Sequence, residues 1–164
     1  MKRLFIFFLT AFLLATTACA NDNSAAKTSN KGELSDMKIS IQITSDSGSH
    51  TLAATLADNS SAMAFYELLK QEPFTIKMHD YGSFEKVGPL GTNLPRNDTQ
   101  ITTQAGDIIL YQGNQITIYY DTNSWNFTRL GKVVSTSSTT SITQAELKKI
   151  LGKGDVTAVF EILE

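Results

Sequence analysis

Gly106-Asp107-Ile108-Ile109-Leu110-Tyr111-Gln112-Gly113-Asn114-Gln115-Ile116-Thr117-Ile118-Tyr119-Tyr120 is the stretch on which the fold turns. Ile108–Tyr111 and Ile116–Tyr120 are β-branched and aromatic runs on either side of Gln112-Gly113-Asn114-Gln115. Such residues fit a pleated strand, and Gly-Asn suits a two-residue primed turn, so a β-hairpin is predicted.

The flanking segments have the same character. Met37, Ile39, Ile41 and Ile43 alternate with Lys38, Ser40, Gln42 and Thr44, the period of a half-buried strand. Ser45-Asp46-Ser47-Gly48 turns the chain into a second alternating run with Leu52, Ala54 and Leu56. Asn59, Ser60 and Ser61 are candidate N-caps for a helix carrying Ala62, Phe65, Leu68 and Leu69 and ending near Gln71, before Pro73. Phe74, Ile76 and Met78 mark another strand. From Tyr81 to Gly106 the Gly, Pro, Asn, Asp and Thr content predicts a long loop, which in a compact domain points to function. Phe127–Val134 reads as a strand. Thr143 and Glu146 form a capping box ahead of Leu147, Ile150 and Leu151, and a last strand carries Val156, Ala158, Phe160 and Ile162. About seven or eight strands and two short helices, without a βα repeat, predict a mainly β fold: a closed β-barrel with the helices capping its open ends.

The 164 residues leave room for one domain. Hydrophobic residues make up 41% and charged ones 18%, a globular balance, and the net charge of −2 gives no basic excess for phosphate contacts, so no nucleic-acid partner is expected.

The N-terminus carries an address. Lys2 and Arg3 precede Leu4–Ala15, an apolar run too short to span a bilayer as a helix. Small residues Thr16, Thr17 and Ala18 lead to Cys19, the single cysteine. This resembles the lipobox of bacterial lipoproteins, with Thr16 where an aliphatic residue is usual, and implies lipidation of Cys19. Ala18-Cys19-Ala20 also fits ordinary signal cleavage, which would give a soluble secreted or periplasmic protein. Ala20 to Asp36 is polar and aperiodic, a flexible tether reaching on the order of 20–25 Å. The expected organisation is a signal peptide over 1–18, a lipidated cysteine and tether over 19–36, and one domain over 37–164. Its location would be the bacterial cell envelope, on the membrane through the lipid.

Gly106–Gln115, followed by Thr122-Asn123-Ser124-Trp125 and Thr128-Arg129-Leu130-Gly131, resembles the bacterial cyclophilin-like domain family. So does Tyr81–Gly88, placed before Leu94-Pro95. The resemblance covers nearly all of 37–164 and implies the closed barrel without a particular activity. Cyclophilins proper are prolyl isomerases that use an arginine followed by a Phe-Met-x-Gln-Gly segment, and that segment is absent here.

Chemistry-bearing motifs are sparse. His50 and His79 stand far apart with no metal-ligand spacing, and neither a G-x-S-x-G elbow nor a phosphate-binding glycine loop occurs, so no catalytic residue, metal or cofactor is expected. Asp80, Glu85 and Asp98 read as solvated carboxylates of the long loop. The candidates for ligand binding are Tyr81, Phe84, Tyr120, Asn123, Trp125 and Arg129, an aromatic set with one guanidinium at the barrel's mouth. Trp125 serves equally as an exposed platform or a core residue, whereas Arg129 reads first as an ordinary arginine, stacked on an aromatic ring or paired with an acid such as Asp121, and second as a ligand clamp. The leading expectation is a binding module for a peptide or small molecule, of open ligand identity and oligomeric state. The alternatives are a divergent peptidyl-prolyl isomerase using Arg129 or Arg96, and a structural lipoprotein that meets a neighbour through a sheet edge.

Overall fold

A computed structural model describes residues 37–134 and 142–163. Residues 1–36, where the signal peptide, Cys19 and the tether are expected, lie outside that range. The strands are β1 (Lys38–Ser45), β2 (Gly48–Leu56), β3 (Phe74–Tyr81), β4 (Glu85–Pro89) and β5 (Thr99–Thr102), then β6 (Asp107–Tyr111), β7 (Gln115–Tyr119), β8 (Ser124–Val134) and β9 (Val156–Ile162). Helix α1 spans Ser60–Leu69 and α2 spans Gln144–Leu151.

Hydrogen bonding runs in the order β2-β1-β9-β3-β4-β7-β6-β8, and β2 pairs again with β8, so eight strands close into a ring while β5 lies along the start of β8. The closed, mainly β architecture is the one expected. The long loop is not: residues 81–106 contain β4 and β5. Short strands interrupted by Gly and Pro carry too little periodicity to be read, and β4 is buried at Glu85, Lys86, Val87 and Gly88, so it shows no alternation at all.

The ring has two faces. Ile39, Ile41 and Ile43 of β1, Ile108 and Leu110 of β6, and Ile116 and Ile118 of β7 point inward with Phe65 of α1 and Leu147 of α2 into one core. Residues one position away point outward, and there Ile109, Tyr119 and Phe127 form a second, smaller cluster. Asn59 caps α1 by accepting from Ala62 N at 2.9 Å and donates to Arg129 O. Thr143 and Glu146 make the predicted capping box on α2. At the β6–β7 hairpin the turn sits one residue earlier than predicted. Its positive φ angles fall on Gln112 (53°) and Gly113 (82°), with Asn114 N bonded to Tyr111 O.

Candidate functional site

The outward aromatic cluster floors a cavity of about 580 Å³. Register explains why these side chains meet. Glu85 lies directly opposite Tyr119 across β4–β7, Val87 opposite Thr117, and Tyr111 opposite Gln115 across β6–β7. Directly paired residues share a face, so these three strands deliver their side chains to one outer patch, which β3 and β8 extend with Tyr81, Trp125 and Phe127. Phe84 arrives from the β3–β4 turn. There Gly82 and Ser83 both have positive φ (59° and 60°), and a Cβ on Gly82 would overlap the Phe84 ring.

The rings touch in sequence. Tyr81 meets Phe84 edge-on at 5.9 Å, Phe84 stacks on Tyr119 at 6.0 Å, and Phe127 lies 5.7 Å from Tyr119 and 6.2 Å from Tyr111. Trp125 stands at the rim, 61% exposed, and Tyr81 is 58% exposed. Beyond Tyr111, Gln112 and Trp125 a second hollow opens, bounded by Arg96 and Asp98.

One charged group is set among these rings. Glu85 is only 7% exposed, and among the described residues its Oε2 has no hydrogen-bond partner. Burial raises the Glu85 carboxyl above its ordinary value, against a hydrogen bond from Tyr119 and the nearby charge of His79, which lower it. Tyr119 is itself raised, first by burial and then by Glu85, while Asn123 hydrogen-bonds to it and opposes that shift. Asn123, Tyr119 and Glu85 thus influence one another beneath the rings.

Of the six residues anticipated for binding, Tyr81, Phe84, Asn123 and Trp125 line the cavity. Tyr120 does not. It faces the other way, packs in the ring's core, and donates to Asp80 Oδ1 at 2.8 Å. Arg129 is also absent from the cavity wall: its Nη2 pairs with Asp107 at 3.2 Å, not with Asp121, which is taken by Lys148. The cavity lies on the outer sheet face, not at a mouth of the ring. Sequence reading missed Glu85, Tyr111, Tyr119 and Phe127 as site residues; the signal available was the opposite parity of Ile109, Tyr111, Thr117 and Tyr119 to the core positions. Glu85 is not the solvated loop carboxylate it was read as. Among the described residues no group of three or more His, Cys, Asp or Glu gathers to hold a metal, and no helix is long and apolar enough to cross a membrane.

A family model described as the cyclophilin-like family matches residues 45–161. The chain belongs to the cyclophilin-like family. A comparison with curated proteins finds no match. The cyclophilin-like domain is similar in fold to the solution structure of a hypothetical protein from Archaeoglobus fulgidus, at 13% identity and a TM-score of 0.54, covering 79% of this chain and 96% of that one. At that identity the likeness speaks for the fold alone.

Proposed function

We propose that this cyclophilin-like domain is a binding module of the bacterial cell envelope, held to a membrane by lipid on Cys19, with the outer-face aromatic cavity as its ligand site. The observation that carries the reading is that cavity, whose volume of about 580 Å³ falls in the range that encloses a small organic molecule. Exposed Trp125 and Tyr81 stand beside a buried aromatic floor and offer a ligand apolar ring surface at the rim. Binding is favoured over isomerisation because both arginines are already engaged. Arg129 is held by Asp107, and Arg96 donates from Nε to Asp98 at 2.9 Å.

The test is NMR of the full-length protein in a maltoside detergent, titrated with small aromatic compounds and separately with an Xaa-Pro peptide. Shift changes centred on Phe84, Tyr111 and Trp125 are expected, with affinity reduced about tenfold in Trp125→Ala, a loss typical of an aromatic anchor. Shifts confined to other surfaces, or no response to any compound, would overturn the site. Faster cis–trans exchange in the peptide, lost in Arg96→Ala or Arg129→Ala, would replace binding with isomerase activity.

A further inference from the structure

We infer that the cavity takes a protonated organic amine on an apolar body, its ammonium donating to Glu85 Oε2 and its body lying against the aromatic rings. This rests on the cavity being the ligand site. Three observations carry it. Glu85 Oε2 is a buried acceptor with no donor, in a residue more than nine-tenths buried and on the wall of the cavity. An acceptor left this way is costly, and native structures seldom keep one without a partner that arrives from outside.

Charge complementarity is the second observation. Among the described residues neither Lys nor Arg lines the cavity, so none of them sets an ammonium or guanidinium against Glu85 there. The groups that do face it are the Tyr119 hydroxyl from β7 and His79 from β3, with Asn123 behind Tyr119. The third is the wall. Phe84, Tyr111, Tyr119, Trp125 and Phe127 present π faces and edges around one carboxylate, and ring faces attract cations. The orphan acceptor also sets the ligand's type: Oε2 requires a hydrogen-bond donor and its negative charge favours a cationic one, so an amine bearing hydrogen suits it and a quaternary ammonium leaves it unpaired. The cavity volume exceeds what one aliphatic side chain fills, which selects a free amine over a lysine presented by a peptide.

The experiment follows Trp125 fluorescence of the full-length protein in maltoside at pH 8. The probes are 2-phenylethylamine, its N-trimethyl derivative, the neutral 2-phenylethanol, and Nα-acetyl-lysine amide. The primary amine is expected to bind about tenfold tighter than the alcohol, the gain of one charge-assisted hydrogen bond. Glu85→Gln is expected to remove that preference, bringing the amine and the alcohol to equal affinity, with thermal unfolding confirming that the variant is folded. Equal binding of amine and alcohol in the wild type would overturn the inference and leave the ligand site standing. So would a preference that survives Glu85→Gln, or tighter binding of the trimethyl or lysine probe than of 2-phenylethylamine. No Trp125 response to any probe, with Phe84 and Tyr111 resonances also unmoved, would overturn the site itself.

Discussion

Lys86 has no exposed side chain, and its ammonium is held by Asp80 Oδ2 at 2.6 Å, Gly154 O at 2.6 Å and Gly152 O at 3.2 Å, with the Tyr120 ring 5.8 Å away. Three acceptors match three ammonium protons, so a buried charge that would otherwise be prohibitive is fully satisfied. The contact also ties β4 to the chain between α2 and β9. Lys86→Met leaves two carbonyls and a carboxylate without their donor, and should destabilise the protein by about 2–4 kcal/mol, read from the urea midpoint. Burial alone would raise Asp80, but hydrogen bonds from Lys86 and Tyr120, together with the Lys86 charge, outweigh it and hold the carboxyl below its ordinary value. A depressed folded-state value means stability that is present above the ordinary aspartate range and lost as pH falls through the folded value. Unfolding midpoints should therefore drop below about pH 4 in the wild type. That acid loss should shrink in Lys86→Met.

Glu85 has the opposite sign. Its folded-state value is raised, so its contribution is fully present below the ordinary glutamate range and declines as pH rises through the folded value. Glu85→Gln should raise stability at pH 7 by about 1 kcal/mol and change little near pH 4, because a neutral orphan is less costly to bury than a charged one. A variant that lost stability at pH 7 would show instead that the carboxylate supports the fold.

At the level of elements, the ring closes where β2 meets β8 through Ala53↔Val134, Ala54↔Val133, Thr55↔Lys132 and Leu56↔Gly131. Gly131 has no room to grow: a Cβ there would lie 2.6 Å from Thr55 O and 3.2 Å from Leu56 Cα. Backbone cannot swing aside as a side chain can. Gly131→Ala should separate the seam and lower stability by about 2 kcal/mol, measured by denaturant unfolding. Hydrogen exchange should then quicken at Ala53–Leu56 before the β6–β7 hairpin. Elements like these also decide how much a sequence discloses. The β1–β2 hairpin, both helix caps and β9 were legible because each alternates or caps by local rules, as with Ile39, Ile41 and Ile43 against Lys38, Gln42 and Thr44. Strand β4 was not, since burial on both sides removes the alternation, and a lysine within it argues against burial until Asp80 and the two glycine carbonyls are brought to it by folding.

On the scale of the whole molecule, the site was half legible for the same reason. Trp125, Phe84 and Asn123 stand close to turns, where exposed aromatics attract notice, whereas Glu85 and Tyr119 are ordinary strand residues whose pairing depends on β4 finding β7. Arg129 shares the outer face with Phe127, yet Asp107 draws its guanidinium off the cavity wall. The cavity therefore faces outward from the side of the ring, and its position governs what the tether proposed over residues 20–36 must do. With a reach on the order of 20–25 Å, comparable to the domain's own dimensions, a chain leaving β1 at Lys38 can hold the domain at a membrane while leaving the β4–β7–β6–β8 face open to the medium. The lipid proposed on Cys19 would be what keeps the domain at that surface. In bacterial cells fed a radiolabelled fatty acid, the wild-type chain should carry label and sediment with membranes. Cys19→Ser should lose the label and leave the membrane fraction, while the folded domain keeps its ligand response at Trp125. An unlabelled wild-type protein recovered from the soluble fraction would mean that cleavage near Ala20 releases it, and the cavity would then work in free solution, without a membrane to hold it.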